Sequence, residues 1–145
     1  MTNYLYLLWY LPQMGGPRHW ALFIVNSQEP DAYGTLFHCI TDKTALARGY
    51  CCTFATDIRF GVSIKGPRSI PTYEDRTLLG PVNDDVKLMM TEYAEAATQM
   101  VNEHNVPKGR TESNCHDWVL HILRSLDNSH LIEHGALGRA AACPR

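Results

Sequence analysis

The sequence lacks the features that mark several classes of protein. No apolar run is long enough to span a bilayer, and the apolar segment 4–11 has neither a basic region before it nor a small-residue cleavage site after it. There is no long basic run, and the net charge is −2 with neutral histidines. We therefore expect no nucleic-acid partner and no stable membrane insertion.

The cysteines lack a recognisable metal or disulfide pattern. There are five, an odd number, and none has CxxC spacing: Cys39, Cys51, Cys52, Cys115 and Cys143. Two of them are adjacent in sequence, which is poor geometry for a mutual disulfide. His104, His121, His130 and His134 show no metal-ligand spacing with a carboxylate or cysteine partner either. We therefore predict reduced thiols in a cytoplasmic protein with no metal site and no cofactor.

What is present is a strand-rich first half. The chain has 145 residues, 45% of them hydrophobic, and is predicted to form one domain. Aliphatic and aromatic residues concentrate in three segments that we interpret as strands of an antiparallel meander, residues 4–11, 19–25 and 34–41. Residues 50–64 are predicted to hold one or two more strands, whereas residues 66–79 are predicted to form a surface loop.

The second half is predicted to be helical. Asn83 or Asp84 can cap a helix that runs to about His104, because apolar residues recur there at helical spacing. Ser113 or Asn114 can cap a second helix, whose inward residues are Trp118, Val119, Ile122, Leu123 and Leu126. A short helix is predicted at residues 131–134, and the end from about residue 136 is expected to be loose. The fold class is therefore α+β, with an antiparallel sheet of about four to six strands packed against two main helices.

Three residues suggest thiol chemistry. Cys115 lies at the predicted helix start, where main-chain N–H groups favour a thiolate and can bind an oxyanion. His19 opens a strand and can accept the thiol proton, and His38 on the next strand can orient it if both share a face. The alternatives are a buried cysteine that acts as a small hydrophobe and a strand histidine that is satisfied by a loop carbonyl.

The neighbours of these residues are candidates for support. His116 and Asp117 project roughly 100° and 200° away from Cys115 on a helix, so they are interpreted as surface groups or as supports for the site. Asn114 is interpreted mainly as a helix cap whose amide can also support an oxyanion. We thus expect the groups that support substrate or oxyanion to come from Asn114, Trp20 and His116.

These blocks resemble a known family. The segments HWALFI at residues 19–24, LFH at 36–38 and NCHDWV at 114–119 are similar, in this order, to the circularly permuted papain-like proteins of the NlpC/P60 superfamily, and most similar to the lecithin:retinol acyltransferase-like group. NCxDWV also resembles small fungal proteins. The resemblance implies a permuted papain-like fold with Cys115 as nucleophile, His19 as base and His38 as the orienting residue.

The resemblance further implies acyl transfer through a thioester. The Glu-His pair that follows the family cysteine is His116-Asp117 here, and the membrane anchor of the lipid-acting members has no counterpart, so we expect a small ester, amide or acyl substrate rather than a lipid. Three alternatives stay open. They are a cofactor-free cyclase or isomerase of a biosynthetic pathway that uses cysteine and histidine as acid and base, a permuted isopeptidase, and a non-catalytic binding module.

Overall fold

A computed structural model describes residues 2–12, 16–42, 49–60, 72–105 and 115–145. Within these ranges the chain is an α+β protein with five strands and three helices. The elements are β1 (Asn3–Tyr10), β2 (Trp20–Val25), β3 (Tyr33–Asp42), β4 (Gly49–Arg59), β5 (Tyr73–Val82), α1 (Asp84–Asn105), α2 (Cys115–Asn128) and α3 (Ala136–Ala141).

The strands form one open antiparallel sheet in the order β4-β3-β2-β1-β5. The predicted meander of the first three strands is confirmed, and the segment 50–64 contributes β4. The prediction of a loop over residues 66–79 is wrong from Tyr73 onward, because β5 pairs with β1 at the sheet edge. The charged run Glu74-Asp75-Arg76 suggested a loop, but an edge strand tolerates such residues since one side of it is unpaired. Residues 66–71 lie outside the described part.

Helices α1 and α2 confirm their predicted positions. The side-chain oxygen of Asn83 accepts the N–H of Val86 at 3.1 Å, so Asn83 caps α1 as predicted. All five predicted inward residues of α2 have 0% exposure, namely Trp118, Val119, Ile122, Leu123 and Leu126. The caps predicted for α2, Ser113 or Asn114, lie outside the described residues. No helix in the described ranges has both the length and the apolar character that a membrane crossing requires.

The C-terminal part differs from the prediction. Residues 131–134 are not helical, and the short helix is α3 instead. His130 has a φ of 57°, a left-handed conformation that ends α2. Ala136 and Ala140 of α3 are fully buried, and the carbonyl oxygen of Pro144 accepts the indole N–H of Trp20 at 2.7 Å. Small residues give a weak hydrophobic pattern, which is why the sequence did not indicate this helix.

The sheet has two different faces, and the alternation along β2 defines them. Trp20, Leu22 and Ile24 belong to the core that β2 shares with α1, α2 and α3. Ala21, Phe23 and Val25 point the other way, into a second cluster that includes Tyr10 and Leu36. Side chains on one strand alternate between faces, so the position of a residue along β2 or β3 decides which cluster it joins.

Candidate active site

The sheet brings His19 and His38 together. His38 lies opposite Ala21 in the pairing of β2 with β3, so its side chain is on the face of Ala21, away from the helices. His19 immediately precedes β2. Its Nε2 lies 3.1 Å from Nδ1 of His38, and the two rings meet edge to face with centroids 5.3 Å apart. The condition under which His38 could orient His19, that the two strands are neighbours and both imidazoles share a face, is therefore met.

The environment of His19 keeps its imidazole neutral. The Tyr10 ring lies against it with centroids 5.5 Å apart, and the Tyr10 N–H donates to the His19 carbonyl oxygen at 3.0 Å. Burial, with smaller contributions from His38 and His116, lowers the pKa of His19 from its ordinary value of 6.5 to about 3. A neutral imidazole can accept a proton at physiological pH, which is what a general base requires.

The neutral state of His19 predicts a loss of stability in acid. The group binds a proton in the unfolded chain below pH 6.5 but not in the folded protein until about pH 3. The contribution of neutral His19 to the free energy of unfolding is therefore fully present above pH 6.5. It falls as the pH drops through this window, by up to about 1.4 kcal/mol per pH unit for one proton. Urea unfolding of the wild type and of His19→Asn between pH 7 and 4 measures this slope.

The matched control is His134→Asn, because His134 is exposed. The pH dependence of the free energy of unfolding is expected to become shallower in His19→Asn and to stay as in the wild type in His134→Asn. Equal slopes in the wild type and in His19→Asn would show that His19 is not held neutral.

Cys115 is the first residue of α2, and its sulfur lies against the main chain around His19. The Sγ is 3.9 Å from the carbonyl oxygen of Arg18, and the main-chain N–H groups of Trp20, Cys115 and His116 face it. Burial raises the pKa of the thiol, although these N–H groups act in the opposite direction. Among the described residues, the thiol contacts this carbonyl oxygen rather than the His19 ring.

The strand geometry explains why these main-chain groups are free to meet the sulfur. The pairing of β2 with β3 ends at the residue pair Ala21 and His38. The His19 carbonyl points toward β1, where Tyr10 donates to it. Successive residues of a strand direct their main-chain groups to opposite sides, so the Arg18 carbonyl and the Trp20 N–H point away from β1. The start of α2 occupies that side.

His116 and Trp20 pack together beside the sulfur. His116 is 4% exposed, so of its two interpretations the surface group is wrong, because the first turn of α2 packs against Arg18 and Trp20 at the start of β2. Its Nε2–H donates to the Arg18 carbonyl at 2.6 Å, and the centroids of its ring and of the Trp20 ring lie 4.4 Å apart. Of the predicted supporting residues, Trp20 and His116 direct their main-chain N–H groups to the sulfur. Asn114 lies outside the described residues.

Sequence reasoning missed two groups at the site, the carbonyl of Arg18 and the ring of Tyr10. A main-chain carbonyl leaves no signature in residue identity, so only the fold could reveal it. Tyr10 had a detectable signal. Once β1 and β2 form a hairpin with Trp9 opposite Trp20, Tyr10 must be adjacent to His19.

The described residues contain no group of three or more histidine, cysteine or carboxylate side chains that could hold a metal ion. The described groups that meet at this site are Cys115, His19, His38, His116 and the main-chain groups around them.

Comparisons with known proteins place the chain in a family without naming an activity. Searches of the curated proteins and of the solved structures found no match. The model of a family of unknown function, DUF6540, matches residues 5–133. This range includes His19, His38 and Cys115 and ends before α3. Because the match spans most of the 145 residues, the chain belongs to the DUF6540 family.

Proposed function

We propose that this protein is a cysteine-dependent hydrolase or acyltransferase that acts through a thioester on a small ester, amide or acyl substrate. One observation carries the proposal: the Cys115 sulfur at the start of α2 contacts the main chain on both sides of His19, whose ring is within hydrogen-bond distance of His38. We propose that the fold is a circularly permuted papain-like fold, since the order histidine, histidine, cysteine along the sheet and helix is that of the permuted proteins.

The first step is proton transfer within an uncharged site. We assign the His19 Nε2–H as the donor to His38 Nδ1, which leaves Nδ1 of His19 as the acceptor. Nδ1 is the ring nitrogen nearest the main chain of His19, and the sulfur contacts the main chain of the two residues that flank His19, Arg18 and Trp20. The thiol turns from the Arg18 carbonyl and transfers its proton to Nδ1 of His19. The resulting thiolate and imidazolium then stabilise each other.

The second step forms the acyl-enzyme. The sulfur attacks the carbonyl carbon of the substrate, and the carbonyl π electrons move to the oxygen. The main-chain N–H groups of Trp20, Cys115 and His116 around the sulfur are suited to hold this oxyanion. The tetrahedral intermediate collapses to a thioester and expels the alcohol or amine, which takes the proton from His19. Water or an acceptor amine then attacks the thioester with His19 again as base. The second tetrahedral intermediate breaks the C–S bond and releases the acid or amide product, and the Cys115 thiolate that leaves takes back the proton from His19.

Trapping the thioester tests this proposal. The protein is incubated with p-nitrophenyl esters of short acids, quenched in acid and digested with trypsin. The peptide of residues 111–124 contains Cys115 and no other cysteine, so an acyl group on it is unambiguous. We expect a stoichiometric, hydroxylamine-labile acyl group on this peptide and none on the peptide with Cys143, residues 140–145. Equal acylation of both peptides, or of neither, would contradict a nucleophilic Cys115.

A second function has one observation in its favour. Burial raises the pKa of the thiol and lowers that of His19, so the resting site holds a neutral acid beside a neutral base. Such a pair also suits proton transfer in the cyclisation or isomerisation of a reactive metabolite. That reaction does not need a thioester, and substitution of Cys115 by another proton donor distinguishes the two functions.

A further inference from the structure

The carbonyl of Arg18 accepts from two donors. The His116 Nε2–H donates to it at 2.6 Å, and the Cys115 S–H lies 3.9 Å away. The first contact is short and the second long, so most of the accepting capacity of the oxygen is used by the imidazole. The carbonyl itself is well anchored, because the Arg18 side chain pairs with Glu74 at 2.7 Å and the next residue, His19, accepts the Tyr10 N–H at 3.0 Å.

We propose that His116 is a positioning residue that tunes the thiol of Cys115 through the Arg18 carbonyl. This inference rests on the proposed function only in treating Cys115 as the nucleophile. The partial negative charge of the carbonyl oxygen opposes a thiolate beside it. The His116 N–H neutralises part of that charge and competes with the S–H for the oxygen, so the thiol is free to turn to His19.

The surroundings of His116 fix which nitrogen carries its proton. A carbonyl oxygen only accepts, so Nε2 is protonated in the neutral ring. Burial lowers the pKa of His116, and Arg145 adds to this, whereas the Arg18 carbonyl and Asp117 act in the opposite direction. The Trp20 ring holds the imidazole in place from one side, and the guanidinium of Arg145 lies over that indole at 5.5 Å. The ring is therefore held in orientation as well as in protonation state.

The test is the pH profile of Cys115 alkylation by iodoacetamide, read on the tryptic peptide of residues 111–124. His116→Leu removes the donor and keeps an apolar side chain, whereas His116→Gln keeps an N–H that can reach the carbonyl. We expect His116→Leu to raise the apparent pKa of the Cys115 thiol by about one unit. At a pH below the thiol pKa of both the wild type and the variant, alkylation of the variant is then about tenfold slower. His116→Gln is expected to keep the profile close to that of the wild type.

Two outcomes would overturn the proposal: unchanged profiles in both variants, or equal shifts in both, since the latter indicates a packing role. If His116→Leu does not fold, the tautomer of His116 in the wild-type protein provides a second test. Long-range nitrogen–proton NMR of isotope-labelled protein at pH 7 should show the His116 proton on Nε2, and a proton on Nδ1 alone would overturn the assignment. Alkylation needs no turnover, so its profile can shift when thioester trapping fails, and trapping can succeed when the profile does not shift.

Discussion

Replacement of Cys115 by alanine is expected to lower ester hydrolysis or acyl transfer by about 10³-fold or more, to the level of the uncatalysed reaction with bound substrate. The reason is that in the proposed mechanism the sulfur is the atom that forms the covalent intermediate, so its removal takes away the nucleophile. It contacts the Arg18 carbonyl, the Trp20 N–H and the N–H groups of the first turn of α2. Steady-state kinetics with the ester that gives the most thioester in trapping measures the loss.

Two variants accompany this experiment. Cys143→Ala is the matched control, because Cys143 is also a buried cysteine but its S–H donates to the Arg139 carbonyl in the C-terminal segment. It is expected to retain wild-type activity. Cys115→Ser separates the two candidate functions: it should nearly abolish thioester chemistry but leave an acid–base reaction partly active. Wild-type turnover in Cys115→Ala would exclude both functions for this residue.

The second large effect is expected at His19. Replacement of His19 by asparagine should lower kcat/KM by about 10²- to 10⁴-fold, the usual contribution of a general base. Replacement of His38 by asparagine should cost less, about 10- to 100-fold, as for other residues that hold a functional histidine. The difference follows from the geometry: His38 contacts Nε2 of His19 and acts on the thiol only through it.

The pH dependence of kcat/KM provides a further check on His19. Because its pKa is lowered to about 3, chiefly by burial, the base is neutral and active throughout the range from pH 5 to 8. No acid limb is therefore expected in this range, whereas an ordinary histidine would produce one near its unperturbed value of 6.5. A limb near pH 6.5, or a larger loss in His38→Asn than in His19→Asn, would contradict the roles assigned to the two residues.

Much of the fold was predictable because it depends on local pattern. The strands β1 to β3 carry continuous apolar runs, and α1 and α2 carry apolar residues at helical spacing, so each buries a predictable face. Where the pattern was weak, prediction failed. The charged residues of β5 are typical of a loop, so the edge strand was not predicted. The alanines of α3 give no clear apolar pattern, so this short helix, whose burial depends on its neighbours, was not predicted either.

The candidate site was likewise predictable only in part. The sequence by itself determined the residue types of the candidate thiol site and their order, and it allowed His19 and His38 to share a face on the condition that β2 and β3 are neighbours. The tertiary structure alone decided that the sulfur lies on the Arg18 carbonyl and the Trp20 N–H, and that His116 is buried against Trp20. The physical reason is that these contacts join segments almost 100 residues apart through main-chain atoms, whose positions residue identity does not encode.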